Sequence, residues 1–106
     1  MNSEAPRIGP GEIDQGLWPL IDSAVADLAK RLRLGAGSVT VERAVLTTWS
    51  DSGLGCPRPG MNYLQIPTDG AMIELSASGA AWRYHSGNGR PPFLCESPLR
   101  RRPEGE

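Results

Sequence analysis

The chain has 106 residues, 11 Lys and Arg against 12 Asp and Glu, and a formal net charge of −1. That length bounds it to one domain with a single modest core, and that charge gives no electrostatic reason to expect nucleic acid as a partner. No apolar run is long enough to span a bilayer.

The N-terminus, MNSEAPRIGPGEID, lacks the basic-then-apolar pattern of a signal peptide. As it stands the chain reads as cytoplasmic, or as exported if Met1 replaces a removed signal. Residues 1–13 carry Pro6, Gly9, Pro10 and Gly11 among polar residues. They offer no face to bury, which predicts a flexible N-terminal arm.

From Asp14 the pattern changes. Leu17, Leu20, Ile21, Ala24, Val25, Leu28 and Leu32 recur at helical spacing and form one stripe. Pro19 suits a first turn, where its missing N–H costs nothing. Lys30, Arg31 and Arg33 suit the negative end of the dipole. A helix over about 17–34, with Gly35 as its C-cap, follows.

Val39, Val41, Val45 and Trp49 share one parity and predict a strand over 39–49. Ala44 and Leu46 on the other parity require two partly covered faces, or a bulge. Residues 61–66 alternate again and read as a second strand. Pro67-Thr68-Asp69-Gly70 reads as a turn, with Asp-Gly supplying positive φ. Residues 72–77 form a third strand, Ser78-Gly79 a turn, and residues 81–85 a fourth strand. Residues 86–92 read as a loop, and Phe93-Leu94-Cys95 as a short extended end. The charged, proline-containing residues 96–106 predict a disordered tail, with Arg100, Arg101 and Arg102 solvated. The expected fold is therefore α+β: residues 14–95 place one amphipathic helix on a three- to four-stranded antiparallel meander sheet.

The least ordinary stretch lies between the first two expected strands: Trp49 to Met61, WSDSGLGCPRPGM. Asp51 and the serines beside it bond nearby backbone N–H groups in turns. Leu54 is a lone apolar anchor. Gly55 opens conformations closed to other residues. Pro57 and Pro59 fix φ and bias Cys56 and Arg58 toward extended geometry. So many constraints in a dozen residues specify a shaped loop.

Cys56 and Cys95 are the only cysteines. In an oxidising compartment they would pair; in the cytosol they would stay thiols. With His85, the only histidine, they would also make a Cys-His-Cys metal set, which for a structural zinc lacks its fourth ligand. A third reading makes Cys56 a nucleophile activated by His85. No phosphate-binding glycine loop and no nucleophile elbow are present.

Trp49, Asp51, Leu54-Gly55-Cys56-Pro57, Pro59-Gly60-Met61 and Tyr63, with Trp82-Arg83-Tyr84-His85 and Leu94-Cys95, resemble the signature of a small, functionally uncharacterised bacterial domain family. The resemblance spans roughly residues 20–95. It implies a shared fold and a link between Cys56 and Cys95, and it brings no established activity.

The leading functional expectation is a non-enzymatic binding module, an inhibitor-like role being a special case. Its loop residues Trp49, Asp51, Leu54, Cys56, Arg58 and Met61 would face a protein or peptide, with no cofactor. The alternatives are a thiol- or metal-dependent site of Cys56, His85 and Cys95, and a structural accessory domain.

Overall fold

The structure, a computed structural model, describes residues 5–9, 11–58 and 60–95. The tail expected at 96–106 lies outside them, as do residues 1–4, Pro10 and Pro59.

One helix, α1 (Trp18–Leu32), lies on a five-stranded sheet. The strands are β1 (Arg7–Ile8), β2 (Thr40–Trp49), β3 (Thr68–Ala77), β4 (Ala80–Gly87) and β5 (Arg90–Cys95), and their spatial order follows the chain. The α+β class therefore holds. The three- to four-stranded antiparallel meander does not: β2 to β5 are antiparallel, but β1 runs parallel to β2 and makes the sheet mixed.

β1 comes from the segment expected as an arm. Its ladder uses backbone groups alone, so no apolar face was needed to write it into the sequence. Arg7 N donates to the Val39 carbonyl at 3.1 Å, and further along Ala44 N donates to Glu12 O while Asp14 N donates to Ala44 O, both at 2.8 Å.

The helix meets expectation closely. Ile21, Ala24, Val25 and Leu28 are buried along one stripe, and Pro19 sits in the first turn. It ends differently: Arg33, not Gly35, takes the left-handed conformation (φ 59°) that closes the last turn. The stripe packs on Val41 and Ala44 of β2, Ile73 and Leu75 of β3, and Tyr84 of β4. Each such leucine or isoleucine contributes about 1.5–3 kcal/mol by leaving water. A register shift between Val41 and Arg43 lets Val41 and Ala44 face the same side. This bulge is what the mixed parity of β2 required.

Three expectations fail in the second half. Residues 61–66 are not a strand of the sheet; β2 pairs directly with β3, from Trp49 opposite Thr68 to Thr40 opposite Ser76. The alternation at 61–66 has no core to face, and Leu64 and Ile66 stay largely exposed. Asp69-Gly70 is not a turn but the beginning of β3. Gly70 is there for closeness: a Cβ on it would stand 2.0 Å from the Ser86 carbonyl oxygen. The expected loop at 86–92 shrinks to Asn88-Gly89, both with positive φ, which suits a tight hairpin turn. Among the described residues no helix is long and apolar enough to cross a membrane.

Candidate functional site

The eighteen-residue excursion between β2 and β3 folds against the sheet face opposite α1. Side chains alternate along a strand, so Trp49, His85 and Phe93 share that face while Tyr84 and Leu94 point to the helix. A second buried cluster forms there, separate from the main core.

Trp49 ends β2 and bends its indole back over the sheet. Its Nε1 donates to the Ser86 carbonyl at 2.9 Å. Its ring stacks on the His85 imidazole, with centroids 4.5 Å apart and planes 22° inclined. His85 also packs at a steep angle against Phe93, with ring centroids 6.3 Å apart and planes 65° inclined, and the Arg90 guanidinium lies 4.8 Å above the Phe93 ring.

The chain then turns twice. Asp51 Oδ1 accepts from Gly53 N at 2.8 Å, and Cys56 N donates to Gly53 O at 3.1 Å. Between these turns Leu54 adopts φ 56°, unusual for a side chain of its size. Two contacts hold it there. Its side chain is buried, 1% exposed, and its carbonyl lies 2.8 Å from His85 Nδ1. A carbonyl only accepts, so the imidazole hydrogen sits on Nδ1. Burial pulls the His85 pKa below 6.5, and the nearby Arg83 charge adds to this, while the Leu54 carbonyl opposes both.

Next comes the covalent anchor. Cys56 and Cys95 form a disulfide, S–S 2.06 Å, that ties the loop to the end of β5. Beyond it the chain doubles back on itself. Met61 N donates to Arg58 O at 3.2 Å, Arg58 N donates to Tyr63 Oη at 2.9 Å, and Ser52 and Leu64 share two further bonds.

The sequence-predicted residues thus divide into two sets. Trp49, Leu54, Cys56, Cys95 and His85 come together beneath the loop and hold it, and Asp51 shapes its first turn. Arg58 and Met61 face solvent. Leu64 and Ile66 join them there, 66% and 56% exposed; sequence reasoning missed both by assigning them to a strand. The metal and nucleophile readings of Cys56 and Cys95 need a thiolate, which the bonded sulfurs do not offer. Among the described residues no three His, Cys, Asp or Glu side chains cluster as a metal set.

An open cleft of ≈ 340 Å³ lies on the helix side of the same sheet end, with Leu17, Leu20, Leu46 and Ala71 in its walls. No sequence motif marked it.

No curated protein and no solved structure matches the chain. A family model described as a domain of unknown function (DUF8738) matches residues 21–95, which run from within α1 to the last residue of β5 and include the loop with all its anchors. By that match, the chain belongs to the DUF8738 family.

Proposed function

We propose that this domain is a non-enzymatic recognition module that presents the outer surface of the loop between β2 and β3 to a protein or peptide. One observation carries the reading. The loop is fixed from beneath by the disulfide, by the His85–Leu54 bond and by the Trp49–Ser86 bond, yet Met61, Leu64 and Ile66 stand 58%, 66% and 56% exposed on top of it. Apolar side chains held in water by a rigid frame mark a contact surface. Fixing the frame beforehand removes most of the ordering cost that a flexible loop meets on binding. The disulfide also supports work in an oxidising compartment, where such bonds persist.

Selection of a random peptide display library on the intact, oxidised protein tests the reading. Peptides enriched on the wild type are expected to lose at least tenfold in affinity for a Leu64→Asp/Ile66→Asp variant, a loss of about 1.4 kcal/mol. An absence of enriched peptides, or equal binding to a variant that is folded by near-ultraviolet circular dichroism, overturns it.

A further inference from the structure

Three strands place one row of side chains beyond the start of α1. Leu46 lies opposite Ala71, and Ala71 opposite Ser86. Opposed residues share a face, and Ala71 belongs to the helix-side core. All three side chains therefore lie on the face that carries α1. The open cleft of ≈ 340 Å³ is walled by this row and by Leu17 and Leu20. That volume suits a small-molecule site.

Two polar groups interrupt the apolar walls. Ser86 is only 3% exposed, yet its hydroxyl has no hydrogen-bond partner among the described residues. A buried hydroxyl left unpaired is destabilising, and a ligand that bonds it removes that penalty. Asp69 stands two residues before Ala71, on the same face and diagonal to Ser86. Its Oδ1 accepts from Thr48 Oγ1 at 3.1 Å, and its carboxylate makes no ion pair among the described residues. No other charge offsets it here. The Arg90 guanidinium rests on the Phe93 ring. The start of the helix is capped by Asp14, which accepts from Gly16 N and Leu17 N.

We propose that this cleft binds a small organic ammonium, an amine with a compact apolar body. The ammonium donates to Asp69 Oδ2 and to Ser86 Oγ. Diagonal neighbours on a sheet stand about 7–8 Å apart, and one ammonium with its several N–H donors bridges their side-chain oxygens. The body lies on Leu17, Leu20 and Ala71 and covers Leu46, which is otherwise 66% exposed. A carboxylate ligand would face Asp69 with like charge, and a neutral one would leave Asp69 without its ion pair. The cleft lies on the opposite face of the sheet from the loop, so this site does not depend on the recognition reading.

Amide NMR titration of the full oxidised chain with phenethylamine, to about 20 mM at neutral pH, tests it. Saturable shifts are expected at Leu20, Ala71 and Ser86, with a dissociation constant on the order of 1 mM. Phenethyl alcohol offers the same body without the charge, and hydrocinnamate reverses the charge. The alcohol should bind about fivefold more weakly than the amine, and the carboxylate should not saturate. Asp69→Asn should bring the amine down to the alcohol's affinity and leave the alcohol unchanged. Ser86→Ala should weaken amine and alcohol alike, by about threefold or more. Shifts that do not saturate, or that fall only outside the cleft, overturn the proposal. So does a carboxylate that binds as well as the amine, or an Asp69→Asn variant that holds the amine as tightly as the wild type. Should Ser86→Ala fail to fold, the exposed Asp69→Asn change decides alone.

Discussion

The Trp49 indole lies stacked on the His85 imidazole, 4.5 Å between centroids, and this pair joins the loop to the sheet. The two residues come from β2 and β4, with β3 between them. The indole reaches across because both positions it passes are glycine. A Cβ on Gly70 would lie 2.6 Å from Trp49 Nε1, and one on Gly87 would lie 2.8 Å from Leu54 Cδ2 and 3.4 Å from Trp49 Cδ1. The sheet is thinned at this end so that Trp49 and Leu54 can pack down on it, and His85 receives both.

His85 makes this packing pH-sensitive. Its folded pKa is lowered from 6.5, chiefly by burial, so the unfolded chain binds the proton more readily than the folded one. Stability is then fully present above pH 6.5 and declines as pH falls through the lowered folded value. Urea denaturation at steps from pH 7 to about 5 should show this decline. His85→Asn keeps an N–H donor near the Leu54 carbonyl but cannot titrate. It should lower stability at pH 7 through lost stacking and flatten the slope below it. Parallel slopes for the two proteins would remove His85 as the cause.

Gly55 and Gly60 separate backbone strain from collision. Both have positive φ, 75° and 80°. A Cβ on Gly60 meets nothing within 4 Å, whereas one on Gly55 would stand 2.3 Å from Trp49 Cζ3. Gly60→Ala should cost about 1–2 kcal/mol, the left-handed penalty alone. Gly55→Ala carries the same penalty plus displacement of the indole, for about 2–4 kcal/mol in total. The near-ultraviolet tryptophan signal should change only in Gly55→Ala. Equal losses in the two variants would mean that Trp49 moves aside freely.

The helix was legible because its stripe of Leu17, Ile21, Ala24, Val25 and Leu28 is a local pattern that needs no knowledge of its partner. The same holds for Ser78-Gly79, where two positive-φ residues make a hairpin turn. Residues 61–66 show the limit of that logic. Their alternation is real, but alternation makes a sheet strand only if one face finds a core, and here Leu64 and Ile66 find water. Asp69-Gly70 was misread because glycine serves two needs, a left-handed turn and a close approach, and a sequence does not say which. β1 left no mark, since parallel pairing of Arg7 and Ile8 uses backbone groups alone. In the site, the shaped loop was visible from Pro57, Gly55 and Asp51. Leu54 was legible as its buried anchor, but that Trp49 and Cys56 also point inward was not, because that depends on the register of β4 and β5 beneath the loop.

The disulfide should stabilise the loop far more than the helix-side core. Its sulfurs join residues 39 apart in sequence, and closing a loop of that length removes about 4 kcal/mol of unfolded-state entropy on the chain-entropy model. A Cys56→Ser/Cys95→Ser variant is expected to unfold at lower urea by about that amount. At zero denaturant it should keep its far-ultraviolet dichroism, since α1 and β2–β4 pack without the bridge. Amide exchange should rise at residues 50–67 and stay unchanged at Ile73 and Leu75. Loss of protection across both regions would show that the loop and the core unfold as one unit.

On the helix side, Tyr84 Oη donates to Asp27 Oδ2 at 2.6 Å, and Arg31 Nε donates to the same oxygen at 2.6 Å. Tyr84 is fully buried by its side chain, and burial together with the Asp27 charge pushes its pKa above 10.0. Burial would raise the Asp27 pKa, but the Tyr84 hydroxyl, Arg31 and Lys30 outweigh it and leave the carboxyl below 3.8. Asp27 is thus ionised in the folded state at lower pH than in the unfolded one. Its contribution is present above pH 3.8 and is lost as pH falls through the lowered folded value. The ion pair with Arg31 is largely exposed, 51% and 42% for the two side chains, and adds little; the hydroxyl bond is the stronger link. Tyr84→Phe should therefore cost about 1–2 kcal/mol at neutral pH, while Arg31→Gln should cost less than about 0.5 kcal/mol. Urea midpoints of the two variants decide the order, and a larger loss for Arg31→Gln would shift the weight from the hydroxyl to the ion pair.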